Sequence, residues 1–407
     1  MITTQDELVA ALRVGGEIHC DSGVVIPLTE TMRVTVPCRI IGGHFTREAG
    51  AAFEVTTSRV EFDGVRIEGG GPDAGYDVTQ KLIHVRGSKD DPITGVDVHG
   101  CRLEGSRGDN VWLEWCTACT VHDNMISRFL YSGIMVISGN RLTINGNVIA
   151  DAPLTAGVPN TYGIALTDVT NVAADRSRHI TVVGNHVSLI DWEGIDTHGG
   201  ESLTITGNTV LGCPRGIALI TGNATRVLAP THCLVTGNVI DVAGARRPAL
   251  PGIFLAGISG TPASATIVGN QIVGYRTPIH TSFWSRGETY IGNNSAPQVP
   301  WSPIRMGADY HPDAESAPQY LVDGDTVHLR GGVIPKAGGV SARVEIGSMP
   351  DAVTWPTQLT HIGHVKGADP EAGDGTLAVT PEGALQLLYG NGSDTHTYFL
   401  TGSYRAP

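Results

Sequence analysis

The chain predicts an all-β fold, a parallel β-helix, on three observations. The first is a recurring phrase, clearest as Leu203-Thr204-Ile205-Thr206-Gly207-Asn208-Thr209-Val210, which returns at Ile180 to Val187, Leu142 to Ile149, Leu234 to Ile240 and Thr266 to Ile272. Weaker copies stand at Thr120 to Ile126, Val96 to Leu103 and Val60 to Ile67. The second is the alternation of apolar and polar residues on both sides of the central Gly-Asn bend, the period of a half-buried strand. Gly and Asn tolerate the left-handed backbone that such a bend needs. The third is spacing: Gly43, Val65, Cys101, Asn124, Asn147, Asn185, Asn208, Asn238, Asn270 and Asn293 share one register, separated by 22 or 23 residues or by longer steps of 30 to 38. A period that stretches only by insertion marks a solenoid. No segment sustains a helical period, and the Leu positions of leucine-rich repeats are filled by Val, Ile, Gly and Asn. Coils of a parallel β-helix stack about 4.8 Å apart, close enough for aligned Asn side chains to form a hydrogen-bonded ladder.

In chain order, Thr3 to Arg13 begins with a Thr cap and sets Leu8, Val9 and Leu12 at helical spacing, a short helix to cover the open end of the first coil. Residues 1–68 then hold this cap and the first, irregular coils, with a loop thrown out at Gly69 to Tyr76. Regular coils occupy 69–296 and carry a second phrase, on the strand preceding the bend: Ser132-Gly133-Ile134, Tyr162-Gly163-Ile164, Glu193-Gly194-Ile195, Arg215-Gly216-Ile217 and Pro251-Gly252-Ile253. The Ile and the residue two further on point inward, so the residue between them joins a column on the outer wall. Loops at Asp151 to Asn160, Asn171 to Ser177 and Ala243 to Pro251 bulge near that column and wall a groove. Pro297, Pro300, Pro303, Pro312 and Pro318 make 297–318 a linker without sheet or helix. From 319 to 407, short alternating runs between Gly-rich turns predict a C-terminal antiparallel β-sandwich.

A net charge of −13 argues against nucleic acid or an anionic membrane as partner. No stretch approaches the length of a membrane span, and the N-terminus lacks the basic start and apolar core of a signal peptide. The expected product is therefore soluble and made in the cytoplasm. The seven cysteines fall at or near apolar strand positions, where free Cys acts as a small hydrophobe. Cys116-Thr117-Ala118-Cys119 is half of a zinc pattern, and no second pair completes it, so neither metal nor cofactor is expected.

The outer column is bland at Met135, Ala165, Ala218 and Phe254, but one coil breaks the rule with Asp191-Trp192-Glu193-Gly194-Ile195-Asp196-Thr197-His198. Register sets Tyr162 beneath Glu193, Arg215 above it, and Thr167 beneath His198, with Asp168 at the following turn. Acid, imidazole, phenol and guanidinium then converge from three adjacent coils, within reach of one sugar ring. Asp196, His198, Glu193 and Asp191 are the catalytic candidates. Trp192, Tyr162, Arg215, Asp168 and Trp112 are the substrate-binding ones. Glu114 and Trp112 face outward three coils lower, about 14 Å away. The competing expectation is that these are surface groups, with Glu193 and Arg215 a rung-to-rung ion pair of little worth.

The coils, the helical cap and the outward Asp-x-His together resemble the pectate-lyase-like, right-handed parallel β-helix superfamily over residues 1 to 294. Gly194-Ile195-Asp196-Thr197-His198 is similar to the Gly-Phe-Asp-Pro-His strand of alginate epimerases and related lyases. The resemblance implies that Asp196 and His198, with a Tyr, work at a uronate ring. The chain departs from that strand at Thr197, where the family has Pro, and at Glu193, where it has Tyr, so Tyr162 would have to serve from the neighbouring coil. The β-helix, proline-rich linker and terminal sandwich also resemble bacteriophage tailspike and minor tail proteins. The stretch from Gly324 to Val333 is similar to tail-fibre end domains of phages infecting actinobacteria. That resemblance implies a homotrimer on a virion tail, contacting other tail proteins, which binds and often cuts a bacterial surface polysaccharide. Hydrolysis would use Asp196 with Glu193 or Asp191 as acid and base; elimination would use His198 or Tyr162 as base while Arg215 neutralises a uronate. The alternatives are a non-enzymatic receptor-binding or structural tail protein, and a sugar epimerase or fructan transferase on the same scaffold.

Overall fold

The computed structural model describes residues 1–155, 158, 160–167, 175–222, 228–257, 262–282 and 289–295 and, beyond these, chiefly the strands between 302 and 405. The chain divides into two units, Met1–Pro297 and Gln298–Pro407.

Helix α1 (Gln5–Val14) opens the first unit. The Thr4 hydroxyl accepts the Glu7 N–H while the Glu7 carboxylate accepts the Thr4 N–H at 3.1 Å, a reciprocal cap that satisfies two of the helix's free donors. Leu8 and Leu12 are buried against the first coil, so the helix closes the stack at that end. No helix among the described residues is long and apolar enough to cross a membrane.

Each coil then gives one strand to a ten-stranded parallel sheet and, on either side of the bend, two short strands to a second sheet of 19. We number the ten strands of the first sheet β1 (Met32–Val34), β2 (Phe53–Val55), β3 (Lys81–Arg86), β4 (Asp109–Glu114), β5 (Ser132–Ile137), β6 (Tyr162–Thr167), β7 (Glu193–His198), β8 (Arg215–Ile220), β9 (Ile253–Leu255) and β10 (Ile279–Thr281). They lie in chain order, each hydrogen-bonded to the next. The early coils also stack in parallel, with a register break between Cys20 and Val25.

Between the sheets runs one apolar column, from Leu8 and Leu12 to Ile272 and Tyr275. Near its start Phe53 meets Phe45 and Phe62 edge-on, ring centroids 5.2 and 5.3 Å apart. All seven cysteines are buried in this unit and unbridged.

The bend divides its labour. Glycines such as Gly207 (φ 63°) carry the left-handed backbone, while the Asn that follows turns its amide inward. Asn124, Asn147, Asn185, Asn208, Asn238, Asn270 and Asn294 form a ladder in which each Nδ2 donates to the next Oδ1 at 2.8–3.0 Å. Asn294, and not Asn293, ends it. Asn293 has itself taken the left-handed conformation (φ 53°) that glycine takes in earlier copies, which moves the ladder one residue on.

A second glycine column decides what faces outward. Gly133, Gly163, Gly194, Gly216 and Gly252 face inward against the opposite sheet; a Cβ on Gly194 would stand 2.4 Å from Cγ1 of Val210. Because Gly194 and Ile195 both turn inward, Glu193 and Asp196 are left side by side on the outer wall.

The second unit is antiparallel. Its strands lie in the order Ser302–Pro303, Gln319–Asp323, Thr326–Pro335, Tyr398–Arg405, Thr360–Gly367, Asp374–Val379, Ala384–Leu388, Arg343–Ser348 and Arg305–Met306, with Tyr310–Pro312 on Thr326–Pro335. The proline-rich stretch thus supplies three short strands where no strand was expected. Two of them stand at the ends of the strand order, where a strand can contain a residue with no N–H to donate.

Candidate functional site

The site is built on β6, β7 and β8. Their register sets Tyr162, Glu193 and Arg215 in one column, Ala165, Asp196 and Ala218 in the next, and Thr167, His198 and Ile220 in a third. The period of the coils had predicted these neighbours. It had not predicted their burial: Glu193 and Asp196 are each only 1 % exposed. Met135, Ile137, Tyr162 and Ala165 form a small apolar cluster on the outer wall, with Trp112, Tyr131 and Trp192 packed against it. The wall is a covered surface, and its charged groups answer to a low-dielectric setting.

Arg215 Nη1 donates to Glu193 Oε1. Glu193 Oε2 has no hydrogen-bond partner. Burial, followed by the charge of Asp196, pushes the Glu193 carboxyl up to about 8, against the pull of Arg215 and His198. One Asp196 oxygen lies 3.2 Å from His198 Nε2, and neither of its oxygens accepts a well-formed hydrogen bond. The His198 ring meets that of Tyr162 edge-on at 6.5 Å. Asn160 donates to the Tyr162 hydroxyl at 2.9 Å, yet burial and the nearby Asp196 and Glu193 push that phenol far above its ordinary value. The Arg215 guanidinium lies 4.6 Å from the Phe254 ring centre and 5.8 Å from that of Trp192. Glu193, Asp196, His198, Arg215, Tyr162 and Trp192 are therefore brought together.

The other sequence candidates are placed apart from this group. Asp191 is taken by Arg246, whose Nε donates to its Oδ1 at 2.7 Å, and by the Leu154 N–H at 2.9 Å. Arg246 comes from the Ala243 to Pro251 loop and also reaches Asp151, so that segment ties coil corners together. Trp112 lies on β4, three rungs from Asp196. Asp168 lies outside the described residues.

Sequence reasoning passed over Asp109, Lys81 and Ser132 on the same wall. Asp109 is 1 % exposed and accepts a hydrogen bond from Ser132. Burial pushes its carboxyl up to about 6, against the pull of Lys81 and of Ser132. The signal was available: Asp109 occupies on β4 the position that Glu193 occupies on β7.

Ligand atoms of Glu193, Asp196 and His198 all lie within 4.8 Å of one another, as do those of Glu61, Asp63 and His99 on the other sheet. Either set has the donors for a divalent cation. Each already has a positive charge in place, Arg215 on Glu193 and Arg39 on Glu61 and Asp63 at 2.9 and 2.7 Å.

The family of right-handed β-helix regions matches residues 51–296, more than half of the chain. The chain belongs to that family. No curated protein matches it. Among solved structures of this fold, the Dettilon tailspike protein is 13% identical over 95% of this chain and 87% of its own, with a TM-score of 0.44. The enzymatically active domain of tailspike protein 2 from bacteriophage CBA120 is 12% identical over 98% of this chain and 67% of its own, TM-score 0.48. An alginate lyase from Paenibacillus is 15% identical over 72% of this chain and 98% of its own, TM-score 0.48. At these identities the likeness is one of fold.

Proposed function

We propose that this right-handed β-helix protein binds a bacterial surface polysaccharide on the outer wall of its ten-stranded sheet and hydrolyses it. The observation that carries the reading is the pair of buried carboxyls, Glu193 and Asp196, set side by side in unequal surroundings. Glu193, raised to about 8, keeps a proton at neutral pH, and with Oε1 taken by Arg215 that proton belongs on the free Oε2. Asp196 stands beside it, 3.2 Å from His198 Nε2. Glu193 then protonates the glycosidic oxygen as Asp196 attacks the anomeric carbon and the glycosidic C–O bond breaks; water, giving its proton back to Glu193, then cleaves the glycosyl ester on Asp196. Their ligand atoms lie within 4.8 Å, which favours the retaining geometry of about 5–5.5 Å over the wider inverting one. Elimination is less well supported, because a phenol pushed up by burial is a poor candidate for the base.

The test is incubation of the protein and its Asp196→Ala variant with glycans from candidate hosts, followed by mass spectrometry. Fragments gaining one water per cut, absent with the variant, are expected. Fragments with a double bond would make it a lyase. Binding without cleavage would leave a receptor-binding tail protein, a reading favoured by the near-complete burial of both carboxyls. We further read the second unit as a β-sandwich and the whole as a homotrimer on a phage tail, joined to other tail proteins. Light scattering giving a monomer mass would end the trimer reading.

A further inference from the structure

We infer that Phe254 is a positioning residue for this site: its ring holds the Arg215 guanidinium against Glu193, the carboxyl proposed as the acid. The consequence for catalysis rests on the hydrolase reading above, whereas the contact itself can be read without any glycan.

Glu193, Arg215 and Phe254 belong to three successive strands, β7, β8 and β9. Register sets Arg215 above Glu193, and sets Phe254 above Ala218, three residues further along β8. A methyl is all that Ala218 places on the wall, and it is fully buried. The longer Arg215 side chain can lean across that column, and its guanidinium carbon stands over the Phe254 ring, 4.6 Å from its centre. The Trp192 ring centre lies 5.8 Å from the same carbon. Both distances fall within the roughly 6 Å over which a ring face attracts a cation. Phe254 is half-buried, and His280 on β10 packs on it with ring centroids 5.3 Å apart.

The rings supply what hydrogen bonding leaves open. Among the described residues the guanidinium makes one hydrogen bond, from Nη1 to Glu193 Oε1, and its Nε is buried without a partner. A forked pair would fix the plane of the group; a single bond lets it turn. Water is within reach, since the Arg215 side chain is 13 % exposed and that of Glu193 only 1 %. With no ring over it, the guanidinium would turn toward solvent and Glu193 would lose its bonded cation. The other titratable groups facing Glu193 are Asp196 and His198 on its own strand and Tyr162 on β6. Asp196 and Tyr162 carry no positive charge, and His198 is engaged with Asp196 at 3.2 Å, so none of them replaces Arg215.

The experiment compares Phe254→Leu, Phe254→Tyr, Arg215→Met and the Phe254→Leu, Arg215→Met double variant. Denaturant melts at stepped pH are read for each, with pH–rate profiles on any glycan that is cut. Leu keeps the apolar cover and removes the ring face, so Glu193 stays buried while the hold on Arg215 weakens. In Phe254→Leu the alkaline limb near pH 8 should move up by roughly half a pH unit, the direction expected of Arg215→Met. Phe254→Tyr, which keeps a ring, should leave the limb near its wild-type place. Added to Arg215→Met, Phe254→Leu should move it no further, because the two residues act through one contact. A merely structural Phe254 would lower the melting temperature and leave the limb in place, and that result overturns the assignment. So does a downward shift, which would mean that Phe254 acts by keeping water from Glu193. A shift of full size in the Arg215→Met background overturns it as well. An upward shift in the melts with no glycan cleaved upholds the contact and sinks only the hydrolase. A wild-type stability profile that is flat through this range overturns both the assignment and Glu193 as the acid.

Discussion

Arg215 Nη1 bonds to Oε1 of Glu193 on the neighbouring strand, while Oε2 of the same carboxyl stays buried and unpartnered. One carboxyl is thus held in place by a cation and still pushed toward its protonated form by burial and by Asp196.

This carboxyl should make stability fall with rising pH. Its folded value of about 8 lies above the ordinary 4.5, so the folded state holds more protons between the two. Stability from this group is full below about pH 4.5 and is lost as pH rises through about 8. The span is on the order of 3–5 kcal/mol. Glu193→Gln should flatten that part of the profile in denaturant melts at stepped pH. An unchanged slope would mean that Glu193 is ionised throughout.

If Glu193 is the acid, the rate should share that dependence. Cleavage should fall above about pH 8 as the proton is lost. Arg215→Met should shift this alkaline limb upward, since a positive charge that lowers the carboxyl is removed. A limb that stays in place in Arg215→Met would assign the titration elsewhere.

Gly194→Ala should damage fold and site together. Its Cβ would meet Cγ1 of Val210 at 2.4 Å and the Gly216 carbonyl at 2.8 Å. Overpacking of this kind costs about 1–3 kcal/mol. Val210→Ala removes only the first clash, so the double variant should recover part of the lost melting temperature. Full recovery, or none, would contradict the packing described.

Asn208→Ala should break the ladder. It removes the donor to Asn238 Oδ1 and strips the Asn185 N–H of its acceptor. Buried groups left unpaired cost about 1–3 kcal/mol each. Asn145→Ala, at a partly exposed position on the outer face, is the control and should melt close to wild type. Equal melting of the two variants would show that the ladder is dispensable.

The sequence by itself determined the coil. Alternation and a period of 22 or 23 residues dictate which side chains face inward, and they stack Tyr162, Glu193 and Arg215 in the column that the structure has. Strand periodicity is local, and identical coils repeat it, so register can be read along the chain. Tertiary structure alone decided three things. Burial took Glu193 and Asp196 off the solvated face that alternation predicts and pushed the Glu193 carboxyl up. Arg246, 55 residues further on, drew Asp191 out of the site by a contact that no local pattern encodes. At the last bend, the choice between Asn293 and Asn294 rested on which one took the left-handed backbone, and two adjacent asparagines offer no prior distinction. Which residues line the wall is a matter of period. What those residues can do depends on the dielectric and the partners that distant coils supply.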